Sequence, residues 1–322
     1  MAKQVMRTMA GIENKSKLAG EALKRQSAEK ITTHLWFDKE AKEAAKFYVS
    51  IFGNSKIKDT TVIEDTPSGS VDVVNIDLAG QRFSLISAGP LFKFNPSVSF
   101  LVACDTIEEV DKFWNKLSKG GKVLMELGEY PFSKRYGWME DKYGLSWQVM
   151  HMGEHQAGRK ITPTMMFVGE VCGKAEEAIN FYASIFHNAS IGEIYRYEKG
   201  QEPDREGTIM HAGFTLEGQV FAAMDSARMH DFKFNEAISF MVHCNTQEEI
   251  DYYWERLSAV PSAEQCGWLK DRYGFSWQIV PEIMGELLMS KDKTKRTRMI
   301  QAHQKMKKVN IEELQRAFER GE

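Results

Sequence analysis

The residues best equipped for chemistry sit in one motif that the chain contains twice. Tyr136 to Met150 reads YGWMEDKYGLSWQVM and Cys266 to Val280 reads CGWLKDRYGFSWQIV, a constant 130 residues apart. Gln148 and Gln278 each offer a neutral amide, able to hydrogen-bond a ligand or to assist stronger ligands at a metal. Asp141 and Asp271 offer carboxylates of the type used as general bases. Both aspartates open an Asp-Lys/Arg-Tyr-Gly turn that a glycine closes, so a turn-stabilising role is expected of them. Trp147 and Gln148, like Trp277 and Gln278, are neighbours on a strand and must face opposite sides of their sheet. Which of the two looks into a pocket is the question the motif poses.

Other reactive types are weaker candidates. Cys104 and Cys244 end equivalent strands with no predictable histidine beside them, and the four cysteines form no CxxC pair, so they read as small buried hydrophobes. Asp225 stands where the first repeat has Ser87; it is expected to cap a strand end rather than to serve a pocket. His151 and His155 are spaced for chelation on a helix, but Gly153 between them favours a linker. No glycine-rich strand-to-helix loop suited to a nucleotide cofactor is evident.

The elements that position these residues follow from periodicity. ITTHLWF, from Ile31, alternates as a strand. Ala41, Ala44, Ala45, Tyr48, Val49 and Phe52 recur at helical spacing, and Gly53-Asn54 ends that helix. Strand-like runs at 56–64, 70–78 and 81–87 complete a β-α-β-β-β unit. Residues 97–104, a helix at 106–117, a strand at 122–126 and the hairpin repeat the order. Residues 161–280 then repeat the whole: FYVSIFGNSKI answers FYASIFHNASI, and FKFNPSVSFLVAC answers FKFNEAISFMVHC. Repeat two is about ten residues shorter just before its hairpin, so one strand is expected to be shortened or lost there. The chain divides into a polar, basic extension (1–30), a first domain (31–151), a linker (152–160), a second domain (161–281) and a helical tail (282–322). In the tail, Met299, Ala302, Met306 and Val309 form a stripe and Asn310 reads as an N-cap. The basic run from Lys291 to Lys308 reads as a solvated face.

Composition sets the outer bounds. The 322 residues are 43% hydrophobic and 27% charged with a net charge of −3, which argues against nucleic acid as a partner of the whole chain. No apolar run reaches the roughly 18 residues a membrane span needs. A cytoplasmic setting is expected, as is a monomer acting as a pseudo-dimer, or a homodimer.

Paired β-α-β-β-β modules with FY in the first helix and D-x-x-G-x-x-x-Q in the last hairpin resemble the vicinal oxygen chelate superfamily. This is the group of glyoxalases, bleomycin-resistance proteins and extradiol dioxygenases. The strings FKFNPSVSF and CGWLKDRYGFSWQIV resemble its PhnB-like branch, often labelled 3-demethylubiquinone-9 3-methyltransferase. The resemblance implies an α+β fold: a tandem duplication of a glyoxalase-like domain, each built from two βαβββ modules with its own curled sheet, plus C-terminal helices. It also implies metal-ligand positions at His34, Ser84, Ser99 and Gln148 in the first domain, and at Thr164, Ala222, Ser239 and Gln278 in the second. Together with Trp36, these are the expected pocket residues. One imidazole among amides and hydroxyls is a poor set for a divalent metal, which needs about three strong ligands. The leading expectation is therefore metal-independent binding of a small molecule. The rivals are a metal-dependent glyoxalase or dioxygenase using His34 and Gln148, and an interaction protein using its basic ends.

Overall fold

In the computed structural model, residues 29–66, 69–153 and 159–319 are described; the polar N-terminal extension, His155 and most of the linker lie outside them. The first module comprises β1 (Ile31–Phe37), α1 (Ala41–Ile51), β2 (Lys56–Thr66), β3 (Gly69–Leu78) and β4 (Gln81–Ser87). The second comprises β5 (Val98–Cys104), α2 (Ile107–Leu117), β6 (Lys122–Tyr130), β7 (Ser133–Glu140) and β8 (Ser146–His151). Repeat two supplies β9 (Ile161–Phe167), α3 (Ala175–Ile185), β10 (Ser190–Arg196), β11 (Ile209–Leu216) and β12 (Gln219–Asp225). It continues with β13 (Ile238–Cys244), α4 (Gln247–Leu257), β14 (Trp268–Lys270) and β15 (Ser276–Pro281). The tail forms α5 (Ile283–Leu288), α6 (Lys293–Gln304) and α7 (Ile311–Glu319). None of these helices is long and apolar enough to cross a membrane.

The modules appear in the expected order, but they are not grouped as expected. Sheet A runs β14-β15-β13-β1-β4-β3-β2, and sheet B runs β10-β11-β12-β9-β5-β8-β7-β6. Each sheet thus takes one module from each repeat, which corrects the expectation of one curled sheet per repeat. The seams are antiparallel pairs: β1 with β13, placing His34 opposite Ser239, and β5 with β9, placing Ser99 opposite Thr164. At each seam the inner strand of one module finds its backbone partner in the opposite repeat. The two sheets are also tied to each other by Gln219 of β12, whose side chain both accepts from Ile31 N and donates to Ile31 O of β1, at 2.8 and 2.7 Å.

The inner faces of the two sheets and the helices share one core. Phe83 of β4 meets Phe100 of β5, and Phe221 of β12 meets Phe240 of β13, so the sheets touch directly. Trp147 is wholly buried against Tyr48, Phe52 and Phe100. Trp147 and Trp277 therefore face the core, and Gln148 and Gln278 face the other side of each sheet.

Asp141 explains why the motif is repeated so faithfully. Its buried carboxylate accepts from Tyr48 Oη (2.8 Å), Trp147 Nε1 (2.9 Å), and the backbone of Tyr143 and Leu145. Asp271 repeats the pattern with Tyr182, Trp277, Tyr273 and Phe275. Burial pushes both carboxyls above their usual range, while the four hydrogen bonds pull them back. Tyr48 belongs to a module of sheet A and Asp141 to one of sheet B, so this contact binds the two modules of one repeat across the sheets.

The strand that repeat two lacks is the counterpart of β6, leaving sheet A with seven strands against eight. The tail runs along the place left open. Cys266 N donates to Met306 O and Gly267 N to Lys307 O, both at 2.8 Å. Gly267 has φ +82°, and a Cβ there would stand 2.8 Å from Ile279 O and 3.1 Å from Val309, so only glycine fits this approach. Met299, Val309 and Leu314 are fully buried, and Asn310 Oδ1 accepts from Glu313 N as an N-cap. The basic run is used internally as well as solvated: Lys295 pairs with Glu319, Lys307 with Glu264 and Lys308 with Asp251.

Two outcomes test this architecture. Asp141→Ala strands four buried donors and should lower stability by about 3 kcal/mol or more in urea unfolding, with Asp271→Ala alike. Residues 29–153 expressed alone should sediment as a dimer, since one repeat holds a module of each sheet without its partner; a stable folded monomer would contradict the exchange.

Candidate functional site

Module exchange decides which candidate residues meet. On the outer face of sheet A, β1 contributes His34, β4 Ser84, β13 Ser239 and β15 Gln278. His34 is in register with both Ser84 and Ser239. Gln278 Nε2 donates to Ser239 Oγ at 2.9 Å, and Ser239 Oγ lies 3.5 Å from His34 Nδ1. All four are buried. Burial lowers the His34 pKa to about 3, so the imidazole is neutral at ordinary pH. Half-buried aromatics wall this floor. Trp268 stands edge-on to His34 with centroids 5.4 Å apart, and Trp36 is edge-on to Trp268 and to Phe92. The Trp36 indole is fixed by donation to Gly89 O at 2.8 Å.

Sheet B brings together Ser99, Gln148, Thr164 and Ala222. Ser99 is opposite Thr164, Thr164 opposite Ala222, and Gln148 Nε2 donates to Ser99 Oγ at 2.7 Å. Here Tyr136 Oη donates to Gln148 Oε1 at 2.8 Å, and Tyr136 is itself packed by Tyr130 and Phe132. Thr164 and Met166 replace His34 and Trp36, so those two positions hold no imidazole and no indole here. Tyr136 was missed as a site residue; the signal available was its replacement by Cys266 in an otherwise faithful repeat.

The two sets expected from each repeat are therefore recombined. His34 and Ser84 join Ser239 and Gln278, while Ser99 and Gln148 join Thr164 and Ala222. His34 and Gln148 lie on different sheets and do not form a common centre. Against a divalent metal, the sheet A set offers one imidazole, one amide and two hydroxyls, and the sheet B set offers no imidazole or carboxylate. Among the described residues no cluster of three or more His, Cys, Asp or Glu is placed to hold a metal. Neither donor set fits the superfamily's metal.

The remaining candidates have structural partners. Asp225, expected to cap a strand end, accepts from Gly173 N and Ala175 N at the start of α3 and from Ile209 N at the start of β11. The β9–α3 connection does contain Gly169 and Gly173, a pair the sequence reading passed over. Its helix-start amides are already taken by Asp225, so it is not a free anion cradle. Cys104 is buried, and desolvation raises its thiol to about 12, far from a nucleophile's range.

A pH experiment checks the placement of His34. The histidine takes up a proton near 6.5 when unfolded but near 3 when folded. Folding stability is therefore intact above 6.5 and falls by about 1.4 kcal/mol per pH unit as pH drops from 6.5 toward 3. His34→Thr, the residue repeat two carries, removes this term. Relative to wild type, its stability should improve by roughly 2–3 kcal/mol between pH 7 and 4.5; parallel pH profiles would contradict a buried neutral His34.

The family described as 3-demethylubiquinone-9 3-methyltransferase matches the chain twice, over residues 29–150 and 159–280. Comparison with curated proteins returns no match. Among solved structures, a PhnB protein from Bacillus cereus is 40% identical over 38% of this chain and 99% of its own, with a TM-score of 0.36. Glyoxalase I from Zea mays is 12% identical over 81% of this chain and 98% of its own, with a TM-score of 0.49. The twofold match spans most of the chain and falls on the two repeats of modules, and the protein belongs to the PhnB-like, 3-demethylubiquinone-9 3-methyltransferase-like family, in tandem duplication.

Proposed function

We propose that the protein binds a small organic molecule on the outer face of sheet A, without a metal, and works as a monomer. The observation that carries this reading is the floor of His34, Ser84, Ser239 and Gln278 beneath Trp36 and Trp268. Polar groups at the base fix orientation and aromatic walls supply burial, the usual composition of a small-molecule site. A neutral imidazole and an amide hydrogen-bonded to a serine recognise a ligand; they do not replace carboxylates around a cation. The exchange supports the monomer over the homodimer, since one chain already supplies both modules of each sheet.

The competing reading is a divalent-metal enzyme of the glyoxalase or dioxygenase type at His34, and it rests on that residue's position in the superfamily pattern. Methyl transfer, the activity in the family's description, has less support. The β1–α1 connection carries Asp38, Lys39 and Glu40, and the glycine-containing β9–α3 connection is filled by Asp225. Neither suits a nucleotide-type cofactor.

A thermal-shift screen of flat, neutral organic molecules, run with a chelator and again with added nickel, zinc, manganese or iron, separates the two. A ligand at 100 times its dissociation constant adds about 2.7 kcal/mol of stability. The proposal expects that gain with chelator present and its loss in Trp36→Ala. A gain seen only with metal would overturn it in favour of the enzyme.

A further inference from the structure

The two repeats treat one tryptophan differently. In repeat one, Trp138 Nε1 donates to Ser146 Oγ at 2.8 Å across the β7–β8 hairpin. Trp268 and Ser276 hold the same places in repeat two, but that bond is not made. Trp268 lies instead against His34 and Trp36, and Ser276 Oγ is fully buried with no hydrogen-bond partner among the described residues. A buried hydroxyl left unpaired is destabilising, because it has given up its water without a replacement partner. A second polar group differs here as well. Gln148 Oε1 accepts from Tyr136 Oη, whereas in repeat two Cys266 replaces that tyrosine and its thiol donates to Gln304 O, so Gln278 Oε1 lacks the phenol donor of its counterpart.

We propose that Trp268 occupies part of the sheet A pocket in the unliganded protein and is displaced onto Ser276 when a ligand takes its place against His34. This rests on the reading of sheet A as the ligand site and names the ligand's chemistry. The entering molecule is flat, because it replaces an indole between His34 and Trp36. It is uncharged, because the floor is neutral and the charges next along β14, Lys270 with Glu236, pair at 2.8 Å. It carries an N–H or O–H on its edge for Gln278 Oε1. The displaced indole gains the hydrogen bond that its counterpart Trp138 already has. Ser276 thus promotes binding without touching the ligand, and one chain takes one ligand, since Tyr136 fills the corresponding acceptor in sheet B.

The test uses 2-quinolone, a flat lactam with a ring N–H, its N-methyl derivative and quinoline-2-carboxylate, titrated calorimetrically into the full chain. One 2-quinolone per chain is expected, with the N-methyl and carboxylate forms at least tenfold weaker. Ser276→Ala should weaken 2-quinolone about tenfold while leaving the unliganded melting temperature unchanged or higher, because the orphan hydroxyl is gone. Ser146→Ala should leave affinity unchanged. With 5-fluorotryptophan incorporated, the fluorine resonance that disappears in Trp268→Phe should shift on binding in the wild type and shift differently in Ser276→Ala. Unaltered affinity in Ser276→Ala, two ligands per chain, or preference for the carboxylate would each overturn the proposal. If 2-quinolone fails to bind while other molecules stabilise the protein in the thermal-shift screen, the ligand chemistry is wrong and the site stands. Silence in both experiments removes the site as well.

Discussion

The structure depends on two buried carboxylates, Asp141 and Asp271, and on the four donors each must satisfy. A carboxylate taken from water is costly unless fully hydrogen-bonded, and here each oxygen serves one side-chain or backbone pair at 2.7–3.1 Å. The tyrosine donors come from α1 and α3, while the aspartates sit in the hairpins of β7–β8 and β14–β15. Those partners belong to the same repeat but to different sheets. Backbone ladders bind modules of opposite repeats, and carboxylate clusters bind modules of the same repeat. The two kinds of bond cross, so the halves of the chain interlock into one body.

Interlocking has a functional consequence. Because each outer face is assembled from both repeats, the two faces were free to diverge without disturbing the shared core. Sheet A has His34, Trp36 and Trp268 around the Gln278 amide. Sheet B has Thr164 where sheet A has His34, and Tyr136 donates to its glutamine. Deletion of the β6 counterpart altered the sheet A edge, and the C-terminal tail now covers that edge through Met306, Lys307 and Val309. The tail's buried stripe and internal ion pairs make it part of the fold.

Much of this was legible in the sequence because local physics dictated it. Period-two and period-3.6 patterns placed nearly every strand and helix, the Asp-x-Tyr-Gly turns announced the hairpins, and the shortened repeat announced the missing strand. The superfamily likeness singled out His34, Ser84, Ser239 and Gln278, which the fold brings to one face of sheet A. What the sequence did not carry was pairing across modules. A strand such as β1 presents the same alternation whether β13 or β5 lies beside it, so the choice of partner is invisible to periodicity. Grouping the site residues by repeat was the resulting error. The roles of Tyr136 and Ser276 were equally hidden, because both depend on which side chain answers a particular oxygen in space.

The central claim is that the sheet A face binds an organic ligand with a neutral donor set and holds no tightly bound metal. Elemental analysis of protein purified without a metal-chelating tag tests it most directly. The account predicts transition metal well below one equivalent per chain, unchanged in His34→Thr. About one equivalent per wild-type chain, lost in His34→Thr, would contradict it.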